Sequence, residues 1–302
     1  MHNPLVSILI AQYNNGHFFK DCYHSVIEQT YPNWEVIIVD DGSTDDSFSV
    51  IQALIKNDTR FKLFSNEKNS GCGYTKQRCV TLSTGEICGF LDPDDTLETI
   101  ALEKMVLAHL KYPEVSVVTS KYYLVDINLQ NKTICTHGEA IPANYSYLTY
   151  GKGALTAFAT FKNNYYKKTN GIDAKFTRAV DQDLYYKLEE VGTHYFLDEV
   201  LYNYRINNNS ISANQNLYKS QYWHFIAMQD AFKRRKYLNG IPNFTDTIFC
   251  NITYDYWKSR MKFATSKGNY LVKLYFLSLL VKTKPFFQIK YKLKCLLLYK
   301  YS

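Results

Sequence analysis

The sequence has little glycine or proline and no long apolar run. Its 302 residues include 13 glycines and 7 prolines and show no fixed repeat, which excludes collagen-like and low-complexity proteins. The apolar run near the N-terminus ends after seven residues and has no basic region before it, and the run at 271–281 is interrupted by Lys273. We therefore expect neither a signal peptide nor a membrane span.

The cysteines also lack a spacing that would indicate a function. There are seven, an odd number, and no C-x-x-C pair occurs. Neither a disulfide framework nor a zinc site is indicated, so we expect reduced thiols in a cytoplasmic protein.

Acidic residues are missing from the C-terminal part of the chain. Residues 256–302 hold eleven Lys and Arg and no Asp or Glu, whereas the rest has 24 basic and 28 acidic residues. Two interpretations stay open: a helical subdomain that packs its apolar stripes on the body, or peripheral attachment to the anionic inner face of the cell membrane. Nucleic acid is not expected as a partner, because no DNA- or RNA-binding motif accompanies the charge.

Segments with the pattern of buried strands alternate with segments of helical periodicity. Strands are predicted at 5–11, 35–40, 61–65 and 86–92, and helices at 17–29, 47–56 and 74–84. Further along we predict a helix at 96–110, strands at 115–120 and 121–126, a helix at 181–191 and a hairpin at 194–206. This order predicts an α/β fold in which helices flank a mostly parallel sheet.

After residue 214 the pattern becomes helical, aromatic and increasingly basic. We therefore expect an α/β domain at 1–214 and a helical, basic C-terminal extension at 215–302. Ligands of such sheets bind at the carboxyl ends of the strands, so the residues that follow the strands are the candidates for a site.

Two of the predicted strands end in acidic residues. Asp40 and Asp41 end the second strand and precede Gly42, as in an Asx turn with a helix cap or in a nucleoside site. The fourth strand ends in Asp92, Asp94 and Asp95. Three carboxylates so close together repel one another unless a cation joins them, and this favours a Mg²⁺ or Mn²⁺ site shared with substrate phosphates.

Two weaker signals accompany these acids. NSGCGYTKQR (69–78) offers glycines for a close backbone approach and Arg78 for a phosphate, although an ordinary glycine-rich connection has the same pattern. AVDQDL (179–184) places Asp181 and Asp183 in the first turn of a predicted helix. Either one could serve as a general base, or both could simply favour the helix dipole.

In this order the motifs resemble those of the inverting family-2 glycosyltransferases, which have the GT-A fold. The matching segments are VSILIAQYN, EVIIVDDGSTDDS, NSGCGYTKQR, GEICGFLDPDDTL, NGIDAKF with AVDQDL, and LYNYRINNNSIS, within residues 4–212. The resemblance implies nucleotide-binding roles for Ala11, Tyr13, Asp41, Arg78 and Asp92. It also implies that Asp94 of the D-x-D motif binds the metal and that Asp181 is the catalytic base.

The chain departs from the family pattern at two positions. Val180 stands where a Glu is usual before the base, and Asn207 stands where a His is common. These departures leave open an inactive nucleotide-sugar-binding or scaffold protein as the alternative. A sugar nucleotidyltransferase or a dehydrogenase is disfavoured, because QYNNGHF follows the first strand in place of a glycine-rich phosphate loop.

The resemblance implies transfer of a sugar from a nucleotide diphosphate sugar, most simply a UDP-sugar, with Mn²⁺ or Mg²⁺ as cofactor. Asp181 would take the proton of the acceptor hydroxyl, and the anomeric configuration would invert. The implied acceptor is a saccharide, free or carried on a polyprenyl lipid, in the synthesis of a bacterial surface polysaccharide.

Overall fold

The strands of the first part of the chain form the parallel half of one sheet. In the computed structural model these strands are β1 (Val6–Gln12), β2 (Trp34–Asp40), β3 (Phe61–Ser65) and β4 (Ile87–Phe90), in the order β3-β2-β1-β4. Every residue of β2 is buried, as expected for a strand that helices cover on both faces.

The sheet continues beyond β4 with strands of both directions. These strands are β5 (Thr96–Leu97), β6 (Val115–Val125), β7 (Thr133–Ile134), β8 (Thr160–Lys162) and β9 (Thr193–Arg205). The order from β4 onward is β4-β8-β6-β9-β5, and β7 pairs with β6. β8 is antiparallel to both of its neighbours, whereas β6 and β9 are parallel, so the sheet is mixed in this half.

Helices cover the sheet. They are α1 (Phe19–Ile27), α2 (Ser47–Ile55), α3 (Cys72–Leu82), α4 (Ala101–Lys111), α5 (Tyr147–Tyr150), α6 (Asn163–Tyr166), α7 (Val180–Glu189) and α8 (Leu217–Arg235). Ile8 and Ile10 of β1 share one core with Phe19, Cys22 and Val26 of α1, and all five are fully buried. α3 packs against β1 and β2, so its first turn lies near the carboxyl ends of those strands.

The structure describes residues 2–151, 153–207, 217–236, 238, 246–289, 292 and 293. They divide into a unit at 1–240, which contains all elements named so far, and a second unit at 241–302. The boundary predicted at residue 214, and residues 208–212 of the LYNYRINNNSIS segment, lie outside the described residues.

The described part of the second unit includes α9 (Asp246–Ser266) and α10 (Tyr270–Thr283). Its core joins buried residues of both helices: Tyr254, Met261, Leu277 and Leu280. Asn269 caps α10, because its side chain accepts a hydrogen bond of 3.2 Å from the Val272 amide. In the described ranges, the helices fall short of the length and apolarity needed to cross a bilayer.

The segment at 96–110 is not one helix, as the sequence had suggested. Thr96 and Leu97 form β5, which pairs antiparallel with Tyr202 and Asn203 of β9, and α4 begins only at Ala101. The Asn203 side-chain amide also donates to the Thr96 hydroxyl over 3.1 Å. Pairing with a strand a hundred residues away therefore overrides the helical periodicity at this point.

Two segments that were each predicted to form two strands form one strand each in the structure. Residues 115–125 form the single strand β6, with an irregular register around Lys121, and 193–205 form the single strand β9 rather than a hairpin.

α8 packs on α7, since Arg235 is fully buried and donates to the Tyr186 carbonyl and the Glu190 carboxylate.

Candidate active site

Asp40 is the last residue of β2 and Asp41 follows it, and the two carboxylates accept hydrogen bonds from different groups. Asp40 accepts hydrogen bonds from the Ser43 amide (2.9 Å) and hydroxyl (2.6 Å), so it makes the Asx turn that the sequence suggested. Asp41 accepts from the Asn66 side chain (2.7 Å) and from the amides of Ser70 (2.8 Å) and Gly71 (2.9 Å). Asp41 thus fastens the 66–71 loop to the edge of the sheet.

Arg78 lies behind this loop. Its Nη1 donates to the Ser65 carbonyl over 2.7 Å and to the Asn66 side-chain oxygen over 2.5 Å. Because the Asn66 amide donates in turn to Asp41, Arg78 orients Asp41 through one intermediate residue. The phosphate contact expected of Arg78 stays a prediction.

The loop after β1 borders the same edge. Asn14 joins the 43–44 turn, as its amide donates to the Ser43 hydroxyl (2.9 Å) and its side-chain oxygen accepts from the Thr44 amide (2.8 Å). The Tyr13 side chain next to it is 42% exposed, whereas Ala11 is partly buried. An exposed aromatic ring beside Asp41 is suited to lie against a planar base.

The three acids after β4 separate into two accessible carboxylates and one buried carboxylate. The Asp92 side chain is 48% exposed and Asp94 is partly exposed. Asp95 is buried and accepts from the Tyr202 hydroxyl (2.6 Å) and the Arg205 amide (2.7 Å). Asp95 therefore anchors the segment to β9, and it does not cap a helix.

Arg205 fixes the acidic segment in place. Its guanidinium, which is almost wholly buried, donates to the carbonyls of Asp94 (2.6 Å) and Ile127 (2.7 Å) and to the Asp21 carboxylate (2.8 Å). One side chain at the end of β9 thereby joins α1, the loop after β6 and the acidic segment.

The carboxyl groups of this segment influence one another. Burial and the neighbouring Asp92 carboxylate raise the pKa of Asp94 to about 6, against a hydrogen bond from Asn15 that lowers it. Loss of hydration raises the pKa of Asp92. The Lys76 ammonium lowers that pKa, and the Asp181 carboxylate raises it further. A cation bound here would relieve this repulsion.

Asp181 reaches the acidic segment through Lys76 of α3. The buried Lys76 ammonium donates to the Asp181 carboxylate over 2.7 Å and lies 3.8 Å from an Asp92 oxygen. Burial disfavours the charged amine, but Asp181 and Asp92 outweigh that cost and raise the pKa of Lys76. The segment after β4 and the first turn of α7 therefore meet at the Lys76 ammonium.

Asp183 lies in a different environment. It is buried and accepts from Lys187 over 2.5 Å, with Arg234 at 3.7 Å. Residues two apart on a helix point in nearly opposite directions, so only Asp181 can face the acidic segment. Asp183 is thus engaged in a buried ion pair, and the role of Asp181 as the base stays a prediction.

Comparison with known proteins identifies the family. The sequence profile described as "Glycosyl transferase family 2" matches residues 7–175, which is more than half of the chain. The chain belongs to glycosyl transferase family 2. The matched span contains Asp41, Lys76, Asp92 and Asp94, whereas Asp181 lies six residues beyond its end.

Curated relatives of the chain are glycosyltransferases of bacteria. The chain is 30% identical over 242 residues to the chondroitin synthase of Pasteurella multocida, covering 78% of this chain and 24% of that protein. It is 32% identical over 215 residues to the putative teichuronic acid biosynthesis glycosyltransferase TuaG of Bacillus subtilis, covering 70% and 83%. The chain thus spans about a quarter of the length of the first curated relatives that it matches.

Solved structures confirm the GT-A-like α/β fold. S. aureus TarS 1–349 in complex with UDP-GlcNAc aligns with a TM-score of 0.60 at 17% identity, covering 92% of this chain and 88% of that one. The mannosyltransferase PcManGT of Pyrobaculum calidifontis, in complex with GDP-Man and Mn²⁺, aligns with a TM-score of 0.59 at 14% identity, covering 98% and 86%. These likenesses establish the fold of this family-2 chain.

The family resemblance did not point to Lys76 or Arg205. Helical spacing could have indicated Lys76, because it lies four residues after Cys72, on the face of α3 that begins at the glycine-rich loop. Arg78, two residues further, then faces the opposite way, toward the end of β3. No local signal distinguishes Arg205, whose partners come from three distant segments.

Proposed function

We propose that the chain is a metal-dependent inverting glycosyltransferase. It moves a sugar from a nucleotide diphosphate sugar, of which UDP-sugars are the favoured class, to a saccharide or polyprenyl-linked saccharide acceptor in cell-surface polysaccharide synthesis. The observation that supports this most is the Lys76 ammonium between Asp181 and Asp92, because it brings a possible base next to the D-x-D segment. The described cysteines are all free thiols, which fits the cytoplasm as the place of reaction.

The nucleoside would bind at the ends of β1 and β2. Within the described chain Asp41 accepts three hydrogen bonds, and an ionised carboxylate offers about four acceptor positions. One position is then left for a base N–H, and the exposed Tyr13 ring supplies a stacking surface. Ala11 would border this nucleoside site, and Arg78 would act mainly by holding Asn66 and Asp41.

The residues present fit Mn²⁺ or Mg²⁺. Asp92 and Asp94 offer accessible carboxylate oxygens, the ligand type that these ions prefer. Burial and the Asp92 charge together raise the pKa of Asp94, and a bound cation would favour its ionised form. Across the described residues, no three His, Cys, Asp or Glu side chains form a ready metal cluster, so the diphosphate would supply further ligands. When bound, the ion would stabilise the charge of the leaving diphosphate as a Lewis acid.

Asp181 would act as the general base. The acceptor hydroxyl oxygen forms a bond to the anomeric carbon while the bond from that carbon to the diphosphate oxygen breaks, and the hydroxyl proton passes to Asp181. Attack from the side opposite the leaving group inverts the anomeric configuration. Lys76, which lies between Asp181 and Asp92, would also face the departing diphosphate.

Calorimetric titration of the protein with UDP, in Mn²⁺ and then in EDTA, tests the donor site. Binding that needs the metal is expected, and a screen of UDP-sugars for turnover follows. Asp181→Asn should keep binding and lose transfer, whereas Asp198→Asn, at a carboxylate that is 74% exposed, should keep both. Binding without turnover for every donor and acceptor would favour the inactive binding protein. Transfer by Asp181→Asn at the wild-type rate would disprove the assignment of the base.

A further inference from the structure

The second unit exposes apolar side chains on α10 and in the segment that follows it. On α10, Lys273, Leu277 and Leu280 are buried toward α9. Leu271 and Tyr275, one turn apart on the opposite side of the helix, are 82% and 60% exposed. We call the exposed apolar residues of α10 and of the segment after it the C-terminal apolar set: Leu271, Tyr275, Phe286, Phe287, Ile289 and Leu293. The half-exposed Phe287 ring also contacts Tyr254 of α9.

Lysine side chains lie among and near the residues of this set in the sequence. Ser278 and Lys282 continue the exposed side of α10, and the Lys284 ammonium lies 4.9 Å from the centre of the Phe287 ring. Lys262 and Lys267 of the same unit are exposed as well. The sequence from 256 to 302 contains no acidic residue that could neutralise these cations within the segment.

We infer that the C-terminal apolar set docks on a bilayer of anionic phospholipid. Its aromatic and aliphatic side chains would enter the boundary between headgroups and acyl chains, and the lysines would meet the lipid phosphates. The described helices are too short or too polar to span a bilayer, so the unit would lie on the surface. A soluble polyanion explains the lysines only, because it offers no apolar environment to Phe286, which is 86% exposed.

Docking of this kind does not depend on the proposed transfer reaction. It uses residues of the second unit, none of which contributes to the candidate active site. It would hold the enzyme where a lipid-linked acceptor is found, yet vesicle binding can be measured with neither donor nor acceptor. Failure of the docking proposal and failure of the proposed function are therefore distinguishable.

Cosedimentation of the full chain with vesicles tests the inference. We expect binding to vesicles of equal parts phosphatidylglycerol and phosphatidylcholine, little binding to phosphatidylcholine alone, and release at high salt. The triple variant Lys262→Gln, Lys267→Gln, Lys282→Gln should bind far more weakly, since each cation near such a surface strengthens binding roughly fivefold. The double variant Leu271→Ser, Phe286→Ser should lose at least about tenfold, because two apolar side chains can no longer be buried.

Matched variants of the first unit serve as controls. Leu107→Ser removes a side chain that is 54% exposed on α4, and the triple variant Lys56→Gln, Lys111→Gln, Lys168→Gln removes the same charge from exposed positions. Both should bind vesicles like the wild type, and all variants should keep the wild-type Tm. Equal binding to both vesicle types, no binding to either, or unchanged binding by the second-unit variants would overturn the inference. Retention on heparin without vesicle binding would assign the lysines to a soluble polyanion and would also overturn it.

Discussion

At the scale of single residues, the charge balance of the candidate site depends on the ammonium group of Lys76. It lies between Asp181 and Asp92, and it opposes the rise in the pKa of Asp92. In Lys76→Met that opposition is lost. We expect the acid limb of the pH–activity profile to move upward by about one pH unit, because the carboxylates then ionise only at higher pH.

Profiles of kcat/KM against pH measure this shift. Lys76→Arg keeps the positive charge and should restore most of the profile. Lys104→Met, which removes a half-exposed ion pair with Glu199, should leave the profile unchanged. A profile of Lys76→Met that coincides with the wild type would contradict the assigned role.

Asp94 makes a second prediction at this scale. Its pKa in the folded protein is raised to about 6, so the folded state holds a proton that the unfolded chain has already released. The stabilising effect of that proton is complete at low pH and is lost as the pH rises through about 6. At neutral pH the ionised carboxylate therefore destabilises the metal-free protein.

Asp94→Asn should accordingly raise the free energy of unfolding at neutral pH by about 1 kcal/mol in EDTA, after allowance for the exposure of the side chain. The difference from the wild type should vanish below about pH 3, where the Asp94 carboxyl is protonated in the folded and in the unfolded chain. Denaturant unfolding at the two pH values checks this, and calorimetry should show that the variant has lost metal-dependent UDP binding. A variant less stable than the wild type at neutral pH would contradict the argument.

At the scale of elements, Arg205 connects the end of β9 to the acidic segment. Arg205→Met removes an almost wholly buried guanidinium and leaves the part-buried carbonyls of Asp94 and Ile127 without this donor. We expect a loss of about 3–5 kcal/mol in the free energy of unfolding. Metal-dependent UDP binding should also weaken, because the Asp94 backbone is no longer held.

Arg60→Met is the matched control for this change. Arg60 pairs with Asp58 at 44% exposure and stacks on Trp34, so its loss should cost no more than about 2 kcal/mol. Denaturant unfolding and calorimetry of both variants make the comparison. Equal losses of stability, or unchanged UDP affinity in Arg205→Met, would speak against a positioning role for Arg205.

The elements also show what sequence patterns can and cannot predict. The first four strands were predicted correctly because β1, β2 and β4 are short, mostly buried apolar runs and β3 alternates apolar Phe61 and Leu63 with the exposed Lys62. The acids that follow β2 and β4 lie at the ends of these strands as expected. β5 was missed because two residues carry no periodicity and Thr96 pairs with the distant Asn203. Helix geometry predicts that Asp181 and Asp183 point in nearly opposite directions, and that Lys76 and Arg78 do so as well. Which residue of each pair faces the candidate site depends on how α7 and α3 pack on the sheet.

At the scale of the whole molecule, the two units should respond differently to ligand. The candidate site lies entirely in the unit at 1–240, and the second unit has a small core of its own. We expect UDP with Mn²⁺ to raise the transition temperature of the first unit and to leave that of the second unchanged. Scanning calorimetry with and without ligand checks this, and a single transition that shifts as a whole would contradict it.

The contact between Lys76 and Asp181 also has a kinetic consequence. While the ammonium holds this carboxylate, the proposed base is engaged and is poorly placed to deprotonate water or an acceptor. A diphosphate would offer Lys76 a second anionic partner and so release the carboxylate. The order of addition follows from this: donor first, acceptor second, with little wasteful hydrolysis of the donor by the protein when no acceptor is present.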